Sequence, residues 1–213
     1  MGSKLLIFDL DGTLIDSRAD LTAAINRMRA DFGLEPLGLD TVGGFVGNGA
    51  RKLVERSIAG TGLDAEKALE VYLDHYAEHM TDLTIPYPGV AEGLTTLSEA
   101  GFRMAVLSNK PGDASRAILS SFGFANHMEP ILGGGDLPAL KPAPDGVFAC
   151  MEAAGSNADS TWMIGDHHTD LAVAENAGVK SGFAAYGFGE ARGLVPTRSF
   201  ASFRELTEFF ANE

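Results

Sequence analysis

Short apolar segments alternate with amphipathic segments along most of this 213-residue chain. The apolar segments predict strands that are buried on both faces, as in a parallel sheet; they lie at 4–8, 103–107, 130–132, 161–164 and 180–185. Apolar positions spaced three and four residues apart predict helices over 90–100, 113–122, 145–154, 169–177 and 203–210. Alternation of this kind indicates an α/β fold with a parallel sheet.

The first and second predicted strands are separated by far more residues than an ordinary strand–helix connection needs. Residues 16–82 between them carry helical periodicity and no good strand pattern. The apolar positions that define this periodicity are Leu21, Ala24, Ile25, Met28 and Phe32, then 42–58, then Ala68, Leu69, Tyr72, Tyr76 and Met80. We therefore expect a Rossmann-like core of residues 1–15 and 83–213 with an inserted, all-helical cap domain over 16–82.

Composition narrows the functional classes. A hydrophobic fraction of 45% with 21% charged residues is ordinary for a globular protein. The net charge of −13 argues against nucleic-acid partners and anionic membrane surfaces, so an anionic substrate would need a local positive field. A single cysteine, Cys150, excludes an internal disulfide and is interpreted as a buried hydrophobe. The sequence shows no membrane-span or signal pattern, and its single cysteine suits a reducing compartment, so we expect a cytoplasmic protein. The expected state is a monomer or a homodimer.

Two carboxylates, Asp9 and Asp11, follow the first apolar segment, and Gly12 and Thr13 come next. Strands of an open parallel sheet deliver the residues that follow them to its carboxyl edge, where such folds bind ligands. Extended backbone places residues two apart on one side, so both carboxylates are expected to face one crevice. Close carboxylates repel each other and usually share a metal or a proton. The string D-x-D-G-T therefore indicates a site, rather than an Asp-Gly turn alone.

Three later positions bring complementary chemistry. Ser108 and Asn109 end the second predicted strand with a hydroxyl and backbone N–H groups that suit phosphate oxygens. Lys141, braced by neighbouring prolines, would neutralise phosphate oxygens and a carboxylate nucleophile. Asp166 and Asp170 follow another apolar strand, and hard oxygen ligands of this kind suit Mg²⁺.

The order D-x-D-G-T, Ser at a strand end, Lys-Pro and G-D-x-x-x-D resembles the four motifs of the haloacid dehalogenase superfamily of phosphohydrolases. The inserted helices are similar to the cap that one subfamily carries between its first and second motifs. Longer strings resemble the bacterial phosphoglycolate phosphatases within this superfamily; they are IFDLDGTLIDS at 7–17, VGNGAR at 46–51, PYPGV at 86–90, SNKP at 108–111 and GGDLP at 134–138. The core motifs are specific for the superfamily, and the cap string is less specific for the subgroup.

This resemblance implies a Mg²⁺-dependent phosphatase acting on a small phosphorylated metabolite, first of all 2-phosphoglycolate, through an aspartyl-phosphate. The implied catalytic residues are Asp9 as nucleophile, Asp11 as general acid and base, and Lys141 as the neutralising cation. Thr13, Ser108 and the Asn109 backbone would hold the transferring phosphoryl group. Asp9, Asp11, Asp166 and Asp170 would surround the metal, with Asp170 binding through water or orienting Lys141. Asn48 and Arg51 of the cap would read the leaving group, unless Arg51 only pairs with a nearby acid such as Glu55.

The sequence departs from the superfamily pattern at two places and leaves alternatives open. His167 and His168 stand where the family has small or polar residues, and we expect them to cap a helix rather than bind zinc or iron. Ser108 replaces a common threonine and keeps the hydroxyl. The substrate could instead be a sugar phosphate, an amino-sugar phosphate, pyridoxal phosphate or pyrophosphate.

Other activities of the same fold are less compatible with the residues present. A dehalogenase needs neither metal nor leaving-group acid, so Asp11 argues against it. A phosphonatase needs a cap lysine with a depressed pKa, and neither Lys52 nor Lys67 lies in an apolar segment. A non-catalytic binding module would not need every motif acid.

Overall fold

The computed structural model describes residues 3–212 and has a six-stranded parallel sheet at its centre. The strands are β1 (Leu5–Phe8), β4 (Arg103–Pro111), β5 (Ile131–Gly134), β6 (Thr161–Gly165), β7 (Lys180–Ala184) and β8 (Arg198–Phe200). Their order is β5-β4-β1-β6-β7-β8, so β1 lies between β4 and β6. The predicted α/β fold with a parallel sheet is confirmed.

Helices cover both faces of this sheet. They are α5 (Val90–Glu99), α6 (Gly112–Ser121), α7 (Asp145–Ala154), α8 (His168–Ala177) and α9 (Phe203–Ala211). Because side chains alternate along a strand, Leu6 and Phe8 of β1 belong to one hydrophobic cluster and Leu5 and Ile7 to another. All four are fully buried, which explains why the segment reads as continuously apolar rather than alternating.

The long segment between β1 and β4 is helical over most of its length. It contains α1 (Arg18–Asp31), α2 (Leu39–Gly43), α3 (Ala50–Ser57) and α4 (Ala65–His79). Two short strands, β2 (Ile15–Asp16) and β3 (Ile85–Pro86), bracket these four helices and pair as an antiparallel ribbon. The exact boundaries of the cap domain, 16 and 82, stay a prediction.

A buried carboxylate, Asp20 in α1, fixes the return of the chain from the cap. It accepts hydrogen bonds from the backbone N–H groups of Leu83 and Thr84, and from the Thr84 hydroxyl at 2.7 Å. Three donors on one buried carboxylate satisfy both of its oxygens. The entry and exit of the helical insertion are therefore held together at the edge of the core.

Two local features differ from the sequence-based expectations. The apolar pattern over 42–58 forms two helices, α2 and α3, because Gly47 and Gly49 adopt positive φ angles between them. Strand β8 is only three residues long and was not predicted. No helix within residues 3–212 has the length and apolar character needed to cross a membrane.

Candidate active site

The ends of three neighbouring strands bring the predicted chemistry together. Asp9 follows β1, Ser108 lies near the end of β4 and Asp166 follows β6. Parallel strands end at the same edge of a sheet, and β1 pairs directly with both neighbours. The sequence motifs therefore meet although they are far apart in the chain.

Three of these acids form one buried cluster. Asp9, Asp166 and Asp170 each offer a carboxylate oxygen, and the three oxygens lie within 4.8 Å of one another. All three side chains are almost fully buried. An all-oxygen donor set suits a hard divalent cation such as Mg²⁺ better than a softer metal.

Lys141 enters this cluster from the loop before α7. Its Nζ lies 2.6 Å from Asp170 Oδ1 and 3.1 Å from Asp9 Oδ1. The Asn109 side chain holds the Lys141 backbone, because Asn109 Oδ1 accepts from the Lys141 N–H at 2.8 Å and Asn109 Nδ2 donates to the Lys141 carbonyl at 3.1 Å. The amide of Asn109 thus positions the lysine that pairs with both acids.

The charges of the cluster are not balanced within the protein. Burial raises the pKa of Asp9 to about 6, although the ammonium of Lys141 opposes this rise. Burial, together with the charges of Asp170 and Asp9, raises the pKa of Asp166 well above its usual value. Burial alone would lower the pKa of Lys141, but Asp170 and Asp9 raise it. When all three carboxyl groups are ionised, they and one ammonium leave two negative charges in excess, which a divalent cation would neutralise.

Glycines make room for these carboxylates. Gly12 has a φ of +81°, and a Cβ there would lie 1.9 Å from Asp166 Oδ2. A Cβ on Gly165 would lie 2.1 Å from the Asp170 carboxyl group. Asp166 Oδ2 also accepts from the backbone N–H groups of Phe188 and Gly189, at 3.0 and 2.8 Å. The loop after β7 is therefore fixed to the acidic cluster.

Asp11 lies beside the cluster but is engaged differently. Both of its oxygens are 2.9 Å from Lys110 Nζ, and Oδ1 accepts from the Ser17 hydroxyl at 2.6 Å. Its carboxylate does not belong to the three-acid group formed among the described residues. The sequence analysis assigned no role to Lys110, which occurs there only within the string SNKP at 108–111.

The three remaining motif residues of the core, Thr13, Ser108 and Asn109, differ in the hydrogen-bond partners of their side chains. The buried Thr13 Oγ1 has no hydrogen-bond partner within the described part of the chain. Ser108 is also buried, and its Oγ accepts from the Lys110 N–H at 3.3 Å. The Asn109 side chain is occupied by Lys141 and by the carbonyl of Gly47 in the cap, 3.0 Å away. Thr13 therefore has an unused hydroxyl, whereas the Asn109 amide is used for positioning.

The two cap residues picked from the sequence do not line the cavity that lies between cap and core. Asn48 accepts a hydrogen bond from Arg56, at 2.7 Å. Arg51 is exposed and pairs with Glu66 rather than with Glu55. The side chains that do line the cavity include Tyr72 and Tyr76 of α4. Their spacing in the sequence identifies them only as apolar positions of a helix. Periodicity cannot distinguish an aromatic side chain packed in the core from one that lines a cavity.

The histidine pair lies at the start of α8. His167 is the N-cap residue: its Nδ1 accepts from the Thr169 N–H at 3.4 Å, and its own N–H donates to Asp170 at 3.0 Å. Burial and the charge of His168 lower the pKa of His167 to about 4, so its ring is neutral at pH 7. A Cβ on Gly47 would lie 2.7 Å from this ring, so cap and core approach closely here.

Comparison with known proteins places this arrangement in a family. Residues 6–184 match the family model of the haloacid dehalogenase-like hydrolases. The chain belongs to this family. A phosphoglycolate phosphatase of Pseudomonas putida is 40% identical over 197 residues, which cover 89% of this chain and 72% of the relative. One of Psychrobacter arcticus is 37% identical, with 98% and 96% covered.

Solved structures agree with this assignment. The crystal structure of a predicted phosphoglycolate phosphatase from Haemophilus somnus 129PT has a TM-score of 0.92 and 29% identity, with 97% of each chain covered. A predicted phosphatase from Clostridium acetobutylicum has a TM-score of 0.85 and 25% identity over the full length of both chains. This member of the haloacid dehalogenase-like family is thus an enzyme, a phosphoric monoester hydrolase with a helical cap.

Proposed function

We propose that the enzyme hydrolyses a small phosphate monoester with an anionic tail. The preferred substrate in this proposal is 2-phosphoglycolate, which is hydrolysed to glycolate and phosphate. The observation that carries the proposal is the buried group of Asp9, Lys141 and Asp170 at the carboxyl edge of the sheet, beneath a capped cavity. The similarity of the chain to phosphoglycolate phosphatases supports the choice of substrate. A cytoplasmic location, a small phosphorylated metabolite as the partner and a monomeric or homodimeric state belong to the same proposal.

Asp9 is the nucleophile in this proposal. It lies in the cavity wall, and Lys141 reduces the repulsion that a carboxylate would meet from a phosphate dianion. An Asp9 oxygen forms a bond to phosphorus while the bond from phosphorus to the leaving oxygen breaks. The result is an aspartyl-phosphate and an alkoxide.

Asp11 moves the protons of both halves of the reaction. It also lines the cavity. As an acid it gives a proton to the leaving alkoxide, and as a base it then takes one from the water that attacks the aspartyl-phosphate. The free hydroxyl of Thr13 and the Ser108 hydroxyl are suited to hold phosphoryl oxygens.

Asp9, Asp166 and Asp170 are the residues that would hold Mg²⁺, Asp170 directly or through water. When bound, the cation supplies positive charge that stabilises the phosphoryl oxygens during transfer. The excess of two negative charges in the cluster and its all-oxygen donors support this assignment.

The proposal is tested by measuring phosphate release from a panel of small phosphate compounds in the presence of Mg²⁺. The panel contains 2-phosphoglycolate, a sugar phosphate, an amino-sugar phosphate, pyridoxal phosphate and pyrophosphate. We expect the highest kcat/KM for 2-phosphoglycolate, loss of turnover in chelator and its recovery when Mg²⁺ is restored. A higher kcat/KM for another member would replace the substrate, and full activity in chelator would overturn the metal dependence.

A further inference from the structure

The cavity contains many acids and few cations. Asp9, Asp11, Asp166 and Glu190 line it, whereas its only cationic lysine or arginine side chains within residues 3–212 are Lys110 and Arg192. Apart from a bound metal ion, the positive charge available to an anionic substrate therefore comes from these two side chains and from Lys141 behind the cavity wall. A second anionic group of the substrate, beyond the phosphate, can bind only to one of these three cations that is not already paired.

Two of these three cations already have carboxylate partners. Lys110 Nζ is paired with both oxygens of Asp11, and Lys141 Nζ with Asp9 and Asp170. The guanidinium of Arg192, in contrast, makes no hydrogen bond or ion pair with any other residue between 3 and 212. Its side chain is exposed to solvent and lines the cavity. Arg192 is thus the available cation of this site.

The backbone at Arg192 is unusual as well. Its φ is +48°, and no other non-glycine residue within 3–212 has a positive φ. Gly193 follows with a φ of +83°, and the Leu194 N–H donates to the Ala191 carbonyl at 3.0 Å. Positive φ at both central positions of a tight turn is the pattern of a type I′ turn, which prefers Asn or Gly there. Keeping arginine at this position costs free energy, which is typical of functional positions.

The loop that carries Arg192 is also anchored to the acidic cluster. Phe188 and Gly189 donate to Asp166, and a Cβ on Gly187 would lie 2.4 Å from the Asp166 Cβ. Arg192 follows only three residues after the second of these hydrogen bonds. Its position relative to the phosphate site is therefore set by the same contacts that hold Asp166.

We infer that Arg192 is a specificity-determining residue that binds the carboxylate tail of the substrate, while Asp9 reacts with its phosphate. This inference rests on the proposed function. A guanidinium presents paired N–H donors that match the two oxygens of a carboxylate. The tail would enter past Arg192, and the tight turn would present the side chain to it. This role replaces the one that the sequence suggested for Arg51.

The test compares Arg192→Asn with the wild type on two substrates that differ only in the tail. These are 2-phosphoglycolate and 2-hydroxyethyl phosphate, whose hydroxymethyl group replaces the carboxylate. We expect kcat/KM for 2-phosphoglycolate to fall about 10- to 100-fold, because a charge-assisted hydrogen-bonded pair is lost. We expect kcat/KM for the neutral analogue to change by less than about two-fold. Arg192→Lys should recover part of the loss.

Stability separates this role from a structural one. Asn is favoured in the left-handed region, so Arg192→Asn should keep or raise the Tm while it lowers activity. Arg204→Gln is the control for removing one positive charge from the surface of an acidic chain, because Arg204 does not line the cavity. An equal loss on both substrates, no loss on 2-phosphoglycolate, or the same loss in Arg204→Gln would overturn the inference.

A binding measurement keeps this test independent of the proposed substrate. In calorimetric titrations, glycolate should bind the wild type more tightly than ethylene glycol does, and Arg192→Asn should abolish the difference. If the wild type hydrolyses neither phosphate but its preference for glycolate is lost in Arg192→Asn, the result would contradict the proposed function and support the role of Arg192. Equal binding of glycolate and ethylene glycol by the wild type would contradict the role of Arg192.

Discussion

Lys110 Nζ lies 2.9 Å from each carboxylate oxygen of Asp11, although the two residues are 99 positions apart in the chain. They are neighbours because β1 pairs with β4 and the chain continues from both strands at the same edge. Lys110 Nζ also lies 4.7 Å from the ring centre of Tyr76, a residue of the cap. Lys110 therefore connects Asp11, the predicted general acid and base of the core, with Tyr76 in the part of the cavity wall that the cap forms.

Replacing Lys110 with Met should destabilise the fold and reduce activity. The Lys110 side chain is 2% exposed and that of Asp11 10%, so the variant leaves a nearly buried carboxylate whose only remaining partner among residues 3–212 is Ser17. Removing one member of a buried ion pair costs about 3–5 kcal/mol, and the Ser17 hydroxyl should keep the loss near the lower end. Urea unfolding with chelator present measures it.

The double variant Lys110→Met/Asp11→Asn distinguishes an unpaired charge from lost packing. Because Asn carries no charge, the double variant should regain a large part of the free energy of unfolding while it remains inactive. If the double variant is as unstable as Lys110→Met alone, the ion pair is not the cause and the contact of Lys110 with Tyr76 is.

Asp9→Asn should abolish turnover and make the metal-free protein more stable near pH 7. Burial raises the pKa of Asp9 to about 6 in the folded state, from a reference value of 3.8. The folded protein therefore holds a proton between pH 4 and 6 that the unfolded chain has lost, and the contribution of this group to stability decreases as the pH rises through that interval. Above it, the penalty is of the order of 3 kcal/mol.

The measurement is the Tm of wild type and Asp9→Asn from pH 4 to pH 8 in chelator. The Tm of the variant should increase relative to that of the wild type as the pH rises, and the difference in Tm should level off above pH 7. Asp113→Asn is a suitable control, because Asp113 is fully exposed in α6. A difference that does not depend on pH would show that Asp9 is not protonated when buried.

Much of the core could be predicted from the sequence because its signals are local. Four consecutive apolar residues predicted β1, and the acids after β1 and β6 could be placed at one sheet edge from strand direction alone. Register and strand order were not needed for this. The short strand β8 offered no comparable signal, since its three residues include Arg198 and Ser199.

The cap was harder to predict because its contacts are long-range. Helical spacing identified Tyr72 and Tyr76, but only the packing of α4 over the core shows that they line the cavity. The contact of Lys110 with Asp11 can be recognised only once β4 is known to pair with β1. The place of Arg192 at the cavity can be recognised only from the path of an irregular loop. Arg51, chosen for its closeness to Gly47 and Gly49 in the chain, projects away from the cavity towards Glu66.

Gly12→Ala should be far more damaging than an alanine at another glycine with positive φ. Gly12 and Gly33 have φ angles of +81° and +68°, but a Cβ on Gly33 would have no heavy atom within 4 Å, whereas one on Gly12 would meet Asp166 at 1.9 Å. Gly33→Ala should cost about 1–2 kcal/mol, the price of the left-handed backbone alone. Gly12→Ala should cost more and lower kcat about 100-fold, because Asp166 must move.

Unfolding in urea and steady-state assays of the two variants provide the comparison. Gly33→Ala should keep wild-type kcat, because its position is remote from the cavity. Equal losses of stability in both variants, with kcat unchanged in Gly12→Ala, would show that Asp166 tolerates displacement.

Two arginines of helix α3 should differ strongly in their importance. Arg56 Nη1 donates to the Phe45 carbonyl at 2.6 Å and Nη2 to Asn48 Oδ1 at 2.7 Å, so it holds the segment that carries Gly47 and Gly49 against the cavity. Arg51 makes only an exposed pair with Glu66. Arg56 therefore positions the cap loop without lining the cavity.

We expect Arg56→Ala to raise KM for 2-phosphoglycolate about ten-fold, because a loosened loop closes less often over the site, and to affect kcat less. Arg56→Lys should recover part of this loss, since one of the two hydrogen bonds can be retained. Arg51→Ala should change KM and kcat by less than about two-fold, as is usual for an exposed ion pair. Steady-state kinetics of the three variants decide the matter. A selective loss of 2-phosphoglycolate hydrolysis in Arg51→Ala, with 2-hydroxyethyl phosphate unaffected, would mean that the cap rotates in solution to bring Arg51 to the substrate.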